Sequence, residues 1–342
     1  MPLQRHPANP ILKPADAPFP CSLLFNAGVC RPVSRPYAGR YVMVFRNDYG
    51  PKDAEDYRRR LAEGNPWDGT NLGLAVSDDG VAFRVEGQPI WSWSGELDGR
   101  SHEVRRVYDP RLTVLDGQTY LCFAMDTAHG VRGGVARTED FRDFEVLHLA
   151  APDNRNMVLF PERFGGRMAR FERPMPIYGR GGPEQFDLWY ADSPDGRDWG
   201  NQRLVLGSEE VPYCNGKIGP GAPPIRTDRG WLAAFHYVHK DEDRPLHGWE
   251  PYGWTKTYGA GLILTDPDEP WRVIGLSPEP LLAPETDYEK QGFRGSVIFP
   301  GGMLRDDDGT VRIYYGGADT VECLATAHVD ELLALVEPWS PS

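Results

Sequence analysis

Short runs of alternating apolar and polar residues, separated by turns, recur along the chain. Five stretches share one order: a short apolar strand, then in most of them a Ser or Thr, an acidic turn and an aromatic residue. The marker residues are Ser77, Thr138, Ser193, Thr265 and Thr326, and their spacings are 61, 55, 72 and 61 residues. Alternation with a period of two indicates strands, and self-similarity at such spacings indicates a repeated supersecondary unit.

A hairpin pattern precedes the markers. It is clearest at residues 111–125, 223–238 and 301–317, where a strand meets a turn of sequence LDG, DRG or DDG and an aromatic-rich strand follows. Gly-containing turns of this kind between alternating strands are strong hairpin signals. Each unit therefore holds about four strands in roughly 55–70 residues, which is typical of a propeller blade.

The pattern predicts an all-β fold, a five-bladed β-propeller formed as a single domain by residues 1–342, because five units fit this length and no linker interrupts them. An irregular β-sandwich is the alternative. The one convincing amphipathic helix, at 53–64, lies in what we interpret as an insertion at 51–66 within the first unit. The proline-rich segment 1–20 is expected to be extended, to run along the outside and to close the ring.

Composition narrows the classes of partner. The net charge of −13 argues against a nucleic-acid surface, which needs a dense basic field. The five cysteines are widely spaced with no CxxC, which favours reduced thiols and a cytoplasmic location. The first 21 residues lack the apolar region of a secretory signal, and no apolar run approaches the length of a membrane span, so no membrane partner is expected.

Polar residues at the starts of the innermost strands are the candidates for a site, because those strands converge on the axis of a propeller. The candidates are Asn26, Arg46, Tyr108, Asp109, Arg111, Arg155, Asn156, Arg173, Lys217, His236, Arg294 and Asp319. Cations clearly outnumber the two carboxylates. Grouping cations costs repulsion and desolvation, and a bound anion would offset that cost.

The chemistry that fits this set is phosphorolysis. An inverting glycosidase that uses water needs two carboxylates, an acid and a base, whereas phosphate is already an anionic nucleophile and leaves a need for one acid and an anion clamp. Arginine grips phosphate oxygens bidentately, and lysine supplies a point charge. We predict Asp109 as the acid, and as the phosphate site Arg155, Asn156, Arg173, Lys217 and His236.

Each assignment has a structural alternative. Asp109 could serve only as a turn residue before Pro110. Arg155 and Arg173 could be ordinary salt-bridge partners, and His236 could be a satisfied core histidine. Arg294 carries the weakest signal and is left out of the predicted site.

Five motifs occur in order along the chain: FNAGV, YDPRLT, NRNMVLFPE, KIGPGAPPI and YYGGADT. Together they resemble the mannoside phosphorylases of glycoside hydrolase family 130, from about Asn9 to about Val336. The resemblance implies a five-bladed propeller in which Asp109 is the general acid and protonates the glycosidic oxygen through the 3-hydroxyl of the bound mannose. It also implies the phosphate set named above, whose parts are lost in members that hydrolyse mannosides.

The resemblance further implies that Asn26, Arg46 and Asp319 hold the mannosyl ring, and Tyr108 is assigned to the same substrate-binding set. The predicted function is an inverting β-mannoside phosphorylase. It would convert β-1,4-mannosyl-glucose, mannosyl-N-acetylglucosamine or mannooligosaccharide plus phosphate into α-D-mannose 1-phosphate and a shortened sugar. The alternatives are a β-1,2-mannoside phosphorylase, a β-mannoside hydrolase on the same fold, and a non-catalytic carbohydrate-binding propeller.

No metal or cofactor is expected, because no His/carboxylate ligand cluster is visible; phosphate is the co-substrate, and a homo-oligomer is expected. Two segments, 51–66 and 241–261, depart from the family pattern and are expected to shape the acceptor side or a subunit contact. The aromatic residues Trp249, Tyr252, Trp254 and Tyr258 are candidates to stack on a sugar, with loop packing as the alternative. If His236 is protonated in the complex, phosphate should bind more weakly above its pKa.

Overall fold

The chain is built mainly of strands, as the computed structural model shows for residues 3–178, 185–241, 243, 248–250 and 254–340. Within these ranges α-helix is confined to α1 (Ala54–Ala62), α2 (Asp287–Lys290) and α3 (Val329–Ala334), with single 3-10 turns at Pro14–Asp16 and Ser208–Glu210. The all-β prediction is confirmed.

The first sheet is formed by consecutive antiparallel strands in the order β2-β3-β4-β5. After the short strand β1 (Gln4–Arg5), these are β2 (Leu23–Cys30), β3 (Tyr41–Tyr49), β4 (Gly69–Ser77) and β5 (Arg84–Val85). Helix α1 lies between β3 and β4, inside the predicted insertion. Asp53 caps it by accepting hydrogen bonds from the backbone N–H groups of Glu55 and Asp56, the interaction that makes aspartate favourable at this position.

The second sheet has nine strands, in the order β14-β13-β12-β11-β9-β8-β7-β6 with β10 paired to β9. They are β6 (Gly95–Leu97), β7 (Arg100–Leu115), β8 (Gln118–Thr127), β9 (Gly130–Thr138), β10 (Glu145–Leu149), β11 (Asn154–Leu159), β12 (Met168–Pro174), β13 (Leu188–Ser193) and β14 (Gly200–Leu206). A parallel pairing of Asn154 with Arg132 joins β11 to β9. This junction lies between the second and third predicted units.

Two further sheets complete the described chain. The third has the order β15-β17-β18-β19-β23 with β16 on β17, and the fourth has the order β1-β22-β21-β20. Their strands are β15 (Ile218–Pro220), β16 (Ile225–Thr227), β17 (Gly230–Lys240), β18 (Lys256–Thr265), β19 (Val273–Leu276), β20 (Ile298–Arg305), β21 (Thr310–Gly317), β22 (Val321–His328) and β23 (Glu337–Pro338). Strand β1 therefore ties the N-terminal segment to the last sheet.

The three hairpins read from the sequence are confirmed as β7–β8, β16–β17 and β20–β21. In the first, Asp116 and Gly117 both have positive φ, 52° and 77°, as the tight turns that match strand twist require. The described strands form four hydrogen-bonded sheets rather than five, because the second and third units are joined. A closed five-bladed ring stays a prediction.

The innermost strands share a local irregularity. Register shifts interrupt the pairing between Phe25 and Gly28 in β2, between Tyr108 and Arg111 in β7, and between Arg155 and Val158 in β11. Each shift contains a non-glycine residue of positive φ: Asn26 (54°), Asp109 (51°) and Asn156 (59°). Asn and Asp tolerate this conformation best among non-glycine residues, so the bulges by themselves favour these residue types.

Arg111 fastens these strands to one another. Its buried guanidinium donates to the carbonyl oxygens of Gly221 (2.6 Å), Pro110 (2.7 Å) and Asn26 (3.0 Å), and more distantly to that of Pro300 (3.5 Å). These acceptors belong to or adjoin inner strands of all four sheets. Arg111 is thus a structural residue rather than a ligand-facing one.

Apolar side chains fill the space between neighbouring sheets. Leu262 of β18 shares a buried cluster with Ile313 of β21, and Val44 of β3 shares another with Leu121 of β8. Burial of such side chains provides the main stabilisation, while the polar inner strands are left to form the site.

Replacing Gly28 with Ala should destabilise the fold. A Cβ at this position would lie 2.7 Å from Arg111 Cα and 2.7 Å from Leu112 N, so β2 and β7 would have to separate. Overpacking of this kind costs about 1–3 kcal/mol. We expect a lower urea midpoint with an unchanged m-value. Gly87→Ala is the matched control, since no atom lies within 4 Å of its Cβ position; equal midpoints for both variants would contradict the close approach.

Candidate active site

A cavity of about 290 Å³ opens among the inner strands. Six predicted site residues line it, namely Asn26, Arg46, Tyr108, Asp109, Arg155 and Asp319. The other four adjoin it. Asn156 follows Arg155, Arg173 is the cross-strand partner of Arg155, His236 contacts Arg173, and Lys217 lies near the lining residue Tyr258. The fold therefore brings all ten predicted residues into one region.

Asp109 sits on the bulge of β7 with its carboxyl directed at cations. It accepts hydrogen bonds from Asn26 Nδ2 at 3.1 Å and from Arg46 Nη1 at 3.4 Å. Burial by itself would raise the pKa of the Asp109 carboxyl, but the charges of Arg46, Arg111 and Arg155 outweigh burial and lower that pKa below its ordinary value. The carboxyl is therefore ionised at neutral pH in this arrangement.

Arg46 is held by Asp48, a residue that the sequence analysis did not select. The guanidinium Nη2 lies 2.6 Å from Asp48 Oδ2, and Thr70 Oγ1 donates to Asp48 Oδ1 at 2.7 Å. Arg46 also packs over the rings of Phe25 and Tyr108. Residues two apart on a strand share one face, so the alternation of Arg46 and Asp48 in "FRND" was the signal that could have identified the pair.

Tyr108 links Arg155 to a second unselected carboxylate. Its hydroxyl donates to Asp126 Oδ1 at 2.6 Å and accepts from Arg155 Nη1 at 2.8 Å. Burial raises the pKa of the Tyr108 hydroxyl, so the phenol stays protonated. Arg155 is thereby oriented by a neutral group, and no carboxylate of the described residues lies within ion-pair distance of it.

Arg173 is fully buried and is positioned by His236. Its Nη1 lies 3.0 Å from His236 Nε2, while His236 Nδ1 lies 3.0 Å from the carbonyl oxygen of Pro220. A carbonyl only accepts, so Nδ1 carries the proton and Nε2 accepts from Arg173. Gly219 leaves room for this contact, because a Cβ there would lie 2.7 Å from both Arg173 Cδ and His236 Cε1.

His236 is consequently neutral. Burial, followed by the charge of Arg173, lowers the pKa of this imidazole well below its ordinary value. The arrangement disfavours a protonated His236 and indicates a residue that orients Arg173. Burial, followed by the charge of Arg155, also lowers the pKa of Arg173, to about 9.

Lys217 and Asn156 complete the cationic side. Lys217 is buried, with Nζ 5.7 Å from the ring centroid of Phe186 and 5.9 Å from that of Tyr258. Asn156 Oδ1 is buried without a hydrogen-bond partner among the described residues. Lys217 and Arg173 both lie over the ring of Phe186, and Asn156 follows Arg155 in β11.

The pKa of the Asp319 carboxyl is shifted in the opposite direction to that of Asp109. Burial raises its pKa to about 6, although the charges of Arg294 and Arg46 act in the opposite direction. Arg294 Nη1 lies 3.6 Å from Asp319 Oδ2, and Arg294 lines the cavity. Arg294 was left out of the predicted site, and its side chain reaches the cavity from a loop whose course the sequence does not reveal.

Both segments that departed from the expected pattern reach the mouth of the cavity. Tyr57 and Trp67, in and just after the insertion, line it, as do Glu250 and Trp254. Tyr258 also lines it, Trp249 packs behind against Tyr57, and Tyr252 lies outside the described residues. Tyr57 of helix α1 packs against Phe293 of its own chain beside the cavity.

The four arginines of this region differ in the charge of their partners. Arg46 and Arg294 face carboxylates, whereas Arg155 and Arg173 are held by a phenol and a neutral imidazole. In the described ranges no group of three or more His, Cys, Asp or Glu side chains could hold a metal ion. No helix in the same ranges is long and apolar enough to cross a membrane.

Comparison with known proteins places the chain among carbohydrate-active enzymes. Residues 3–338 match the model of a family, glycoside hydrolase family 130, described as β-1,4-mannooligosaccharide phosphorylase. A β-1,4-mannooligosaccharide phosphorylase of Ruminococcus albus is 31% identical over 347 residues, covering 98% of this chain and 91% of that protein. A β-1,2-mannobiose phosphorylase of Listeria innocua is also 31% identical over 266 residues, covering 77% and 68%.

A solved structure shares the architecture over nearly its whole length. The Listeria innocua β-1,2-mannobiose phosphorylase, determined in complex with β-1,2-mannobiose, superposes with a TM-score of 0.77 at 25% identity and covers 98% of this chain and 99% of that one. The relatives thus include enzymes named for different mannosidic linkages.

The raised pKa of Asp319 should be visible in stability. The folded-state pKa of about 6 exceeds the ordinary 3.8, so the folded protein binds the proton more tightly than the unfolded chain does. The unfolding free energy therefore falls as pH rises from about 4 to about 6, by roughly 3 kcal/mol for this group. Asp319→Asn should remove that part of the slope in urea denaturation at pH 4.5 and 7.5. Identical slopes for the two proteins would contradict the assignment.

Proposed function

The chain belongs to glycoside hydrolase family 130, the β-1,4-mannooligosaccharide phosphorylase family, and from its site we propose that it is an inverting β-mannoside phosphorylase. The reaction transfers a mannosyl group from a β-mannoside to inorganic phosphate. It gives α-D-mannose 1-phosphate and a sugar shortened by one unit, and it is reversible. Phosphate is the co-substrate, and no cofactor takes part.

One observation carries this proposal: two adjacent arginines beside a cavity that also holds a carboxyl. Arg155 and Arg173 are cross-strand partners, and in the described chain neither has a carboxylate within ion-pair distance. Their hydrogen-bonding partners are Tyr108 and His236, which do not neutralise charge. An anion with several oxygens would accept from both guanidinium groups, and phosphate is well suited to such binding.

Asp109 is proposed as the general acid. Its lowered pKa suits that role only if the phosphate binds first, because the negative charge of phosphate would offset the charge of Arg155 that now helps to keep the carboxyl ionised. Phosphate binding is then coupled to proton uptake at Asp109. The proton goes to the leaving oxygen, by way of the 3-hydroxyl of the mannosyl ring, while a phosphate oxygen attacks the anomeric carbon from the opposite face.

The remaining residues are proposed to hold the mannosyl ring. Asn26 and Arg46 both contact Asp109, so a ring bound to them would bring its hydroxyls to the acid. Asp319 lies beside Arg294, and the ring of Tyr108 packs against the guanidinium of Arg46. Both β-1,4 and β-1,2 linkages stay open, since relatives are named for each.

A β-mannoside hydrolase is the second candidate, and Asp319 favours it. A carboxyl of pKa about 6 in the same cavity is a group that could activate water as a general base. Arg155 and Arg173, which have no carboxylate within ion-pair distance in the described chain, would then have no substrate to bind. We therefore rank phosphorolysis first.

The proposal also covers the closure of the fold, the location of the protein and its assembly. The contacts of inner strands with Arg111 and the repeated bulges support a single catalytic domain closed as a five-bladed propeller. All five cysteines are free, as a reducing cytoplasm would allow. Assembly into a homo-oligomer stays a prediction, which light scattering of the purified protein would test.

The reaction itself is tested by incubating the protein with β-1,4-mannobiose, β-1,2-mannobiose or mannosyl-glucose, with and without phosphate. We expect mannose 1-phosphate only where phosphate is present, with the preferred sugar identifying the linkage. Free mannose formed at equal rates in both buffers would establish hydrolysis instead. Absence of product from every sugar would favour the non-catalytic sugar-binding alternative.

Two substitutions should separate the acid from the phosphate site. Asp109→Asn keeps the shape and the positive φ, and it should lower kcat by about 100-fold or more because general acid catalysis is lost. Arg155→Gln should instead raise the KM for phosphate by about 10-fold to 100-fold, as expected for hydrogen bonds to a charged group. Arg137→Gln, at an exposed ion pair with Glu145, is the control. If Arg155→Gln left the phosphate KM unchanged, the anion site would be elsewhere.

A further inference from the structure

The peptide unit between Asn26 and Ala27 is held by two buried side chains. Its carbonyl oxygen, on Asn26, accepts from Arg111 Nη1 at 3.0 Å. Its N–H group, on Ala27, donates to Glu322 Oε1 at 2.7 Å. Arg111 is 3% exposed and Glu322 is 0% exposed. Because a peptide unit is planar and rigid, these two hydrogen bonds together fix its orientation.

Glu322 supplies an acceptor that the strand pairing leaves out. The pairing of β2 with β3 shifts between Phe25 and Gly28, so β3 offers no cross-strand partner to Ala27. A buried N–H group without an acceptor is unfavourable. Glu322 lies on β22 of the fourth sheet and exchanges both backbone hydrogen bonds with Leu12. Its carboxyl therefore reaches the bulge of β2 from a fixed support.

The orientation of this peptide unit directs the Asn26 side chain. Asn26 has a φ of 54°, and its Nδ2 donates to Asp109 Oδ1 at 3.1 Å. Gly316, the cross-strand partner of Glu322, leaves room for the amide, because a Cβ there would lie 2.7 Å from Asn26 Oδ1. Burial raises the pKa of the Asp109 carboxyl, and this hydrogen bond acts with the charges of the surrounding arginines to lower it.

Glu322 is uncharged while Asp109 titrates. Burial raises the pKa of the Glu322 carboxyl to about 8, although the hydrogen bond from Ala27 and the charge of Arg111 act in the opposite direction. The pKa of Asp109 lies below its ordinary value, so Glu322 is protonated throughout that range. Replacing Glu322 with an apolar residue therefore removes no charge there, and its effect on Asp109 passes through the geometry of Asn26.

We propose that Glu322 is a positioning residue for Asp109: it holds the Asn26–Ala27 peptide so that the Asn26 amide donates to the Asp109 carboxyl. The action is indirect, since Glu322 does not line the cavity. An aliphatic side chain of similar size would occupy the same space, but it would leave the Ala27 N–H group without an acceptor and the peptide free to turn. Only the consequence for turnover rests on the proposed function.

The direct test follows the Asp109 carboxyl by 13C NMR in protein labelled at its aspartate carboxyl carbons, with Asp109→Asn identifying the signal. Glu322→Leu should raise the pKa of Asp109 by about one unit, as expected for loss of one hydrogen bond to a charged group. Asn26→Gly, which removes the amide and tolerates the positive φ, should give the same shift. The double variant should shift no further than Asn26→Gly alone, because both changes act on one contact. Glu322→Gln, whose side-chain oxygen still accepts from Ala27, should restore the wild-type value.

Glu289→Gln is the matched control. Glu289 is equally buried and accepts from the backbone N–H groups of Glu285 and Thr286, and it does not line the cavity. It should lower the urea midpoint and leave the pKa of Asp109 unchanged. An unchanged pKa in Glu322→Leu, an equal shift in Glu289→Gln or additive shifts in the double variant would overturn the inference. If Glu322→Leu does not fold, Glu322→Asp, whose carboxyl is one carbon shorter, replaces it; a chain that folds with neither overturns a role confined to the bulge.

Turnover gives a second readout. The acid must be protonated to act, so the pH above which kcat declines should rise in Glu322→Leu by about one unit and stay in place in Glu289→Gln. A raised carboxyl pKa with an unmoved pH limit would show that Asp109 is not the acid. If the wild type forms neither mannose 1-phosphate nor free mannose, the proposed function fails, and the carboxyl titration alone decides whether Glu322 positions Asp109.

Discussion

The buried guanidinium of Arg111 is the interaction on which the centre of the molecule depends. A charge removed from water must be matched by polar partners, and here the partners are backbone carbonyl oxygens beside inner strands of different sheets. This requirement fixes how closely β2 and β7 approach, and glycine at position 28 permits that approach. Because Asn26 and Asp109 stand on the bulges that Arg111 holds together, the geometry of the proposed acid depends on a residue that does not line the cavity.

Glu322 is a second buried ionisable group near the centre of the molecule. Glu322 accepts from the backbone N–H of Ala27 at 2.7 Å, and burial raises the pKa of its carboxyl to about 8 despite the opposing charge of Arg111. Largely protonated at neutral pH, it adds little negative charge beneath the site. The field at Asp109 is therefore set mainly by Arg46, Arg111 and Arg155, of which only Arg155 belongs to the proposed phosphate site.

The arginines at the cavity fall into two groups, according to whether a carboxylate of the described residues lies within ion-pair distance. Arg46 and Arg294 form ion pairs with carboxylates, so they can donate hydrogen bonds to neutral hydroxyls at little electrostatic cost. Among the described residues, Arg155 and Arg173 hydrogen-bond to neutral partners, and burial, followed by the charge of Arg155, lowers the pKa of Arg173. The proposed function puts the mannosyl group beside Arg46 and Arg294, and phosphate beside Arg155 and Arg173. The same logic makes His236 an orienting residue, since a protonated imidazole would add a further charge to the unfavourable side.

The sequence by itself determined the all-β class, the three hairpins, helix α1 and ten candidate residues that line or adjoin the cavity, because period-two alternation, turn chemistry and motif order are local properties. Arg111 was noted as polar at an inner strand, but its role as a tie between sheets depends on carbonyl groups far apart in the chain. Asp48 could have been found by strand alternation. Glu250, Arg294 and Trp67 could not be placed together, since they come from separate loops whose meeting is decided by packing around Tyr57 and Phe293. The tautomer of His236 and the opposite pKa shifts of Asp109 and Asp319 were likewise decided by the tertiary structure, because they depend on burial and on charges brought in from other strands.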